Sequence, residues 1–68
     1  MNIKDEIYKR GFTIEKFCDH IGISRWTLMR IYNGENKPRG TTIYLIADGL
    51  KLPYEQVKEM LMRCWYDR

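Results

Sequence analysis

Cysteine and histidine are scarce in this chain: two cysteines, Cys18 and Cys64, and a single histidine, His20, among 68 residues. A structural zinc site needs about four Cys or His ligands at short, regular spacings, and neither the number nor the spacing is present. A disulfide framework is no better supported. Each cysteine falls on an apolar helical stripe, where a reduced thiol acts as a small hydrophobe. The lone histidine reads as a surface residue without a catalytic partner. No nucleophile, carboxylate pair or metal set stands out either, so neither an enzyme nor a cofactor is expected. Long apolar runs are also missing. No stretch approaches the roughly 20 residues of a membrane span, and the opening MNIKDEIYKR places charges where a secretory leader would need an apolar core. The expectation is one small cytoplasmic domain over residues 1–68, with a thin stability margin that a dimer partner would widen.

Excess charge is small in amount and uneven in placement. Twelve Lys and Arg against nine Asp and Glu leave a net charge of +3. Between Arg25 and Arg39, the bases Arg25, Arg30, Lys37 and Arg39 stand against Glu35 alone, while the rest of the chain is balanced. Such a cluster is either a solvated face or the place where a polyanion docks.

The stretch TIEKFCDHIGISRWTLMRIYN, from Thr13 to Asn33, decides between these. Ile14, Phe17, Cys18 and Ile21 repeat at i, i+3, i+4 and i+7, one face of a helix, and Leu28 and Ile31 repeat at i, i+3 on a second. Gly22-Ile23-Ser24 between them permits only a tight turn, with a glycine free to take positive φ and a serine able to cap the next helix. Two short helices joined so closely cross steeply, which is a helix-turn-helix unit.

Cys18 four residues before Gly22, Ile23 after it, Leu28 and Ile31, then Asn33-Gly34 and Pro38 together resemble the Cro and phage-repressor (Xre) type of helix-turn-helix family, and the likeness covers most of the chain. It implies an all-α, five-helix, lambda-repressor-like DNA-binding domain with the motif over 14–33 and a recognition helix at about 24–33. Two positions depart from the pattern: Ile14 stands where the family often has a phosphate-binding glutamine, and Tyr32 where many relatives pair a glutamate with an arginine of the first helix. The resemblance therefore supplies no buried partner for Arg10.

Around the motif, a first helix is expected from an Asn2 cap to Gly11, with Ile3 and Ile7 inward and Tyr8 either at the surface or against the last helix. Thr13 caps the second helix, and it is also a candidate phosphate contact. On the third helix, Leu28 and Ile31 point inward while Trp26, Met29, Arg30 and Asn33 cluster opposite, flanked by Arg25 and Thr27. Arg25 is placed for a guanine edge, Trp26 and Met29 for thymine methyls or sugars, and Arg30 for a base or phosphate. An alternative for Trp26 is to fold back onto the second helix. The base-reading candidates are thus Arg25, Trp26, Thr27, Met29 and Arg30.

Pro38 forbids a helix in ENKPRG, so this segment is a loop. By the resemblance it lies along the DNA backbone, giving Lys37 and Arg39 as backbone contacts; Thr13, Asn33 and Thr41 are further backbone candidates, and Thr42 adds another hydroxyl. A fourth helix buries Ile43, Ile46, Ala47 and Leu50, with Gly49 unexplained except by close packing or an early end. A fifth runs from about Tyr54 to Tyr66, with Val57, Met60, Leu61 and Cys64 inward. Its apolar surplus, Met62, Trp65 and Tyr66, suggests a homodimer interface, although packing of Trp65 on the first helix would also absorb it. The expected partner is a palindromic double-stranded operator, and the expected role a Cro-like repressor in a bacterial cell or phage-infected host. The rival is a protein-interaction module, such as an antirepressor using the third-helix face.

Overall fold

One buried stripe per helix emerges from the apolar spacings in the computed structural model, which describes residues 3–66, with side chains to residue 63. The expectations for the Asn2 cap and for the side chains of Cys64, Trp65 and Tyr66 lie outside the described residues. Among these there are five helices and no strand: α1 Ile3–Lys9, α2 Ile14–Ile21, α3 Arg25–Tyr32, α4 Gly40–Leu50 and α5 Tyr54–Tyr66. The core takes Ile3 and Ile7 from α1, Phe17 and Cys18 from α2, and Leu28 and Ile31 from α3. From α4 come Ile43, Ile46, Ala47 and Leu50, and from α5 Val57 and Leu61. Ile14, Ile21, Ile23 and Met60 are half-buried against it. Burial pushes the Cys18 thiol up in pKa, with Asp19 adding to the effect, so it stays protonated and apolar. Tyr8 is at the surface, 54% exposed.

The turn of the motif is built as its residues require. Gly22 sits at φ +82°, and its N–H donates to the Cys18 carbonyl at 2.8 Å, as does that of Ile23 at 3.1 Å. An L side chain in this left-handed region costs about 1–2 kcal/mol. Ser24 then takes an extended conformation and its hydroxyl accepts from the Thr27 N–H at 3.0 Å, starting α3. Lys51 ends α4 in the same left-handed region, φ +58°, without the freedom of a glycine.

Two features tie the scaffold together. Gly49, on α4, lies where α2 presses against it: a Cβ there would come 2.5 Å from Ile21 Cγ2 and 3.1 Å from the Phe17 ring. Close packing, and no early end, is therefore the reason for this glycine, since α4 continues to Leu50. Arg10 does have a buried partner, and it comes from its own end of the chain. Its Nη1 donates to Glu6 Oε1 at 2.8 Å and to the Glu6 carbonyl at 2.9 Å, while Nε donates to the Leu50 carbonyl at 2.8 Å. Glu6 is only 3% exposed, and the Arg10 guanidinium holds its carboxyl below the usual carboxylate range. Tyr32, where relatives place the acid, instead receives the Lys4 ammonium over its ring at 4.7 Å.

Candidate nucleic-acid interface

With Leu28 and Ile31 in the core, α3 has its opposite face free. Arg25, Trp26, Arg30 and Asn33 are exposed there, and Thr27 and Met29 are half-buried. Trp26 does not fold back onto α2: it is 68% exposed, and the Arg30 guanidinium lies over its ring, 5.0 Å from the centre. Arg25 leans toward α2, with Nη1 3.8 Å from Glu15 Oε2. Both of these side chains are well exposed, so the pair is loose and solvent-screened. Thr27 has a second task beyond the face, because its hydroxyl lies 2.9 Å from that of Ser24.

The end of α3 passes directly into the charged loop. Gly34, at φ +77°, donates to the Ile31 carbonyl at 3.0 Å and Glu35 donates to the Arg30 carbonyl at 2.9 Å, which turns the chain away from the helix axis. Pro38 is buried, whereas Lys37 and Arg39 are exposed. Between α3 and the start of α4 the loop borders a groove of about 330 Å³ lined by Thr27, Ile31, Asn36, Lys37, Arg39 and Thr42. Arg39 occupies the N-cap position of α4 in extended conformation, and no side chain caps that helix. Thr42 of its first turn and the two loop cations border the same groove. At the other end of the motif Thr13 caps α2, its hydroxyl accepting from Lys16 N–H at 3.2 Å.

These elements have the order and geometry of one known design. Over residues 3–57 the chain matches a family model described as helix-turn-helix. It belongs to the Cro/C1-type helix-turn-helix family. No curated protein and no solved structure gives a significant match. The family is one of DNA-binding transcription regulators and is not enzymatic, which gives this helix-turn-helix domain its general function.

On the helix-turn-helix frame, the expected residues fall in four places. Arg25, Trp26, Thr27, Met29 and Arg30 share the outward side of α3, with Asn33 at its C-cap; Lys37, Arg39 and Thr42 gather at the groove beside it. Thr13 stands separately at the start of α2, and Thr41 is exposed on the first turn of α4. Asn36, a groove residue, was missed because nothing in ENKPRG distinguishes it from an ordinary loop polar residue. The Glu15–Arg25 approach was also missed, being a contact between two helices. Met62, expected at a subunit interface, is half-buried. Among the described residues no helix is long and apolar enough to cross a membrane.

Proposed function

We propose that the chain is a single DNA-binding domain acting as a small Cro-like repressor of phage or mobile-element type in the bacterial cytoplasm, reading a palindromic operator as a homodimer. The observation that carries this is the coincidence on one side of the molecule of the exposed outward face of α3, including Trp26, with the bases Lys37 and Arg39 of the following loop. A large exposed aromatic among cations suits a partner that is both charged and ringed. Residues Arg25 to Arg30 supply side chains for base edges in the major groove. Thr13, Asn33, Lys37, Arg39 and Thr41 surround them as phosphate contacts, helped at α4 by uncapped N–H groups that favour an anion.

One recognition helix spans only a few base pairs, so useful selectivity calls for two copies on half-sites about 34–36 Å apart. The C-terminal residues Met62, Trp65 and Tyr66 are the proposed contact between them. Selection of duplexes from a random DNA pool tests the reading. The expected result is an inverted repeat with half-site centres about one turn apart and two protomers per duplex. A pool without enrichment, with capture of a protein through Trp26 and Met29 instead, would favour an antirepressor-like interaction module.

A further inference from the structure

Side chains on an α-helix lean toward its N-terminus, so a long residue covers the turn before its own Cα. This decides where the head of Arg30 lies. Its Cα is more than a turn into α3, yet its guanidinium rests over Trp26 at 5.0 Å, on the first turn. Trp26 is 68% exposed, so the ring offers that guanidinium a platform on the solvent side of the helix. Arg25, the neighbour of Trp26 in sequence, is directed elsewhere, toward Glu15 of α2 at 3.8 Å. Next to this cation–π pair, a shallow depression of about 190 Å³ is lined by Trp26, Met29, Arg30, Asn33 and Glu35.

We infer that Trp26 and Arg30 act as one unit that reads a thymine–guanine step, with Arg30 donating to guanine O6 and N7 and the thymine methyl seated in the hollow beside Trp26 and Met29. The inference rests on the DNA-binding reading above and departs from it at one residue: the guanine contact goes to Arg30, and Arg25 becomes a backbone clamp in place of a base reader. A guanidinium held over a ring by cation–π attraction spends no N–H on a hydrogen-bond acceptor there, so its donors stay open for the two acceptors of guanine. A free arginine loses rotamer freedom when it docks on a base. Held on the Trp26 ring, Arg30 has lost part of that freedom before DNA arrives. Trp26 is thus a positioning residue for Arg30, and its apolar edge, with Met29, suits the one methyl group that the major groove displays.

The test uses the full chain and the duplex enriched from a random pool. Affinities of wild type, R25A, W26A, W26F, R30A and the W26A/R30A double variant are measured on that duplex and on its single-base variants. Thermal unfolding of each confirms that these exposed substitutions leave the fold intact. R30A is expected to lose roughly 5- to 150-fold on the preferred duplex and to lose discrimination at one guanine. W26A loses most of the same discrimination, W26F regains part of it, and the double variant is little worse than R30A. R25A weakens every duplex by the same factor. Replacing the thymine beside that guanine with uracil, which lacks only the methyl, weakens wild type about fourfold and W26A hardly at all. Full guanine discrimination in W26A, additive losses in the double variant, or loss of that discrimination in R25A would each overturn the inference while leaving DNA binding in place. A pool with no enriched duplex would overturn both.

Discussion

Glu6 with Arg10 and Glu15 with Arg25 are the same chemical pair in two surroundings. At the junction of α1 and α4, Arg10 meets Glu6 at 2.8 Å and also donates to the Glu6 and Leu50 carbonyls. Between α2 and α3, Arg25 stops 3.8 Å short of Glu15, with about two-thirds of each side chain in water. Removing water and completing the hydrogen bonds turns the first arginine into a bracket between two helices. Leaving both undone keeps the second available. The same division holds across the molecule. No buried side-chain polar atom lacks a partner among the described residues, while on the α3 face and its loop the cations and an indole stand exposed to solvent. On the proposed function, stability resides in the first region and affinity for DNA in the second.

The largest stability effect that separates the regions is expected at Gly49. Alanine favours a helix over glycine by roughly 1 kcal/mol, but here its Cβ would strike Ile21 Cγ2, backed by the buried Phe17 ring. Overpacking of this kind costs about 1–3 kcal/mol, so Gly49→Ala should lower the urea midpoint. A higher midpoint would mean that α2 yields easily and that the scaffold is looser than described.

Arg10→Ala should lower Tm more than alanine at Arg25, and it should also change the pH dependence. The folded pKa of Glu6 is depressed by Arg10, so the associated stability is complete above the ordinary glutamate value, about 4.3, and is lost as pH falls through the folded value. In Arg10→Ala that loss on acidification should shrink or reverse, because protonation then relieves a buried, unpaired carboxylate. Tm measured against pH for both proteins checks this. Parallel curves would remove Glu6 from the account.

A smaller, opposite change is expected at Lys51. A non-glycine residue pays about 1–2 kcal/mol for the left-handed region, and glycine pays about 0.5–1 kcal/mol in lost chain freedom. Lys51→Gly should therefore raise stability by roughly 0.5–1 kcal/mol, read from denaturant unfolding, without altering DNA affinity. Smallest of all, Glu15→Gln should shift stability by less than about 0.5 kcal/mol while strengthening binding to every duplex, since it removes an acid from beside Arg25. A clear stability loss would show that the loose pair is structural after all.

Much of the scaffold was legible because its signals are local. The i, i+3, i+4, i+7 spacing of Ile43, Ile46, Ala47 and Leu50, Gly22 at the motif turn, and Pro38 in the loop each act within a few residues. What escaped depends on approach between elements. Glu6 drew no reading from the sequence, although its i, i+4 spacing to Arg10 was a usable signal. Its burial follows from Arg10 reaching the Leu50 carbonyl, 40 residues away in sequence. For Gly49 close packing was one of two readings, and only α2 laid against it decides between them. On the α3 face, helical periodicity placed the outward residues but gave no directions for their heads. Arg25 turning to Glu15 and Arg30 turning back over Trp26 are consequences of side-chain lean and of neighbouring helices.

The central claim, that the α3 face is presented to DNA whose backbone the following loop grips through Lys37 and Arg39, is tested most directly by salt. Binding of wild type, Lys37→Ala and Arg39→Ala to the enriched duplex is titrated over a range of salt concentrations, and log K is plotted against log salt. Counterion release predicts a steep fall for wild type, about 0.9 per phosphate neutralised. Each variant should bind all sequences more weakly by a similar factor, with a slope shallower by about one unit. A nearly flat wild-type line, or variants that keep the full slope, would contradict the account.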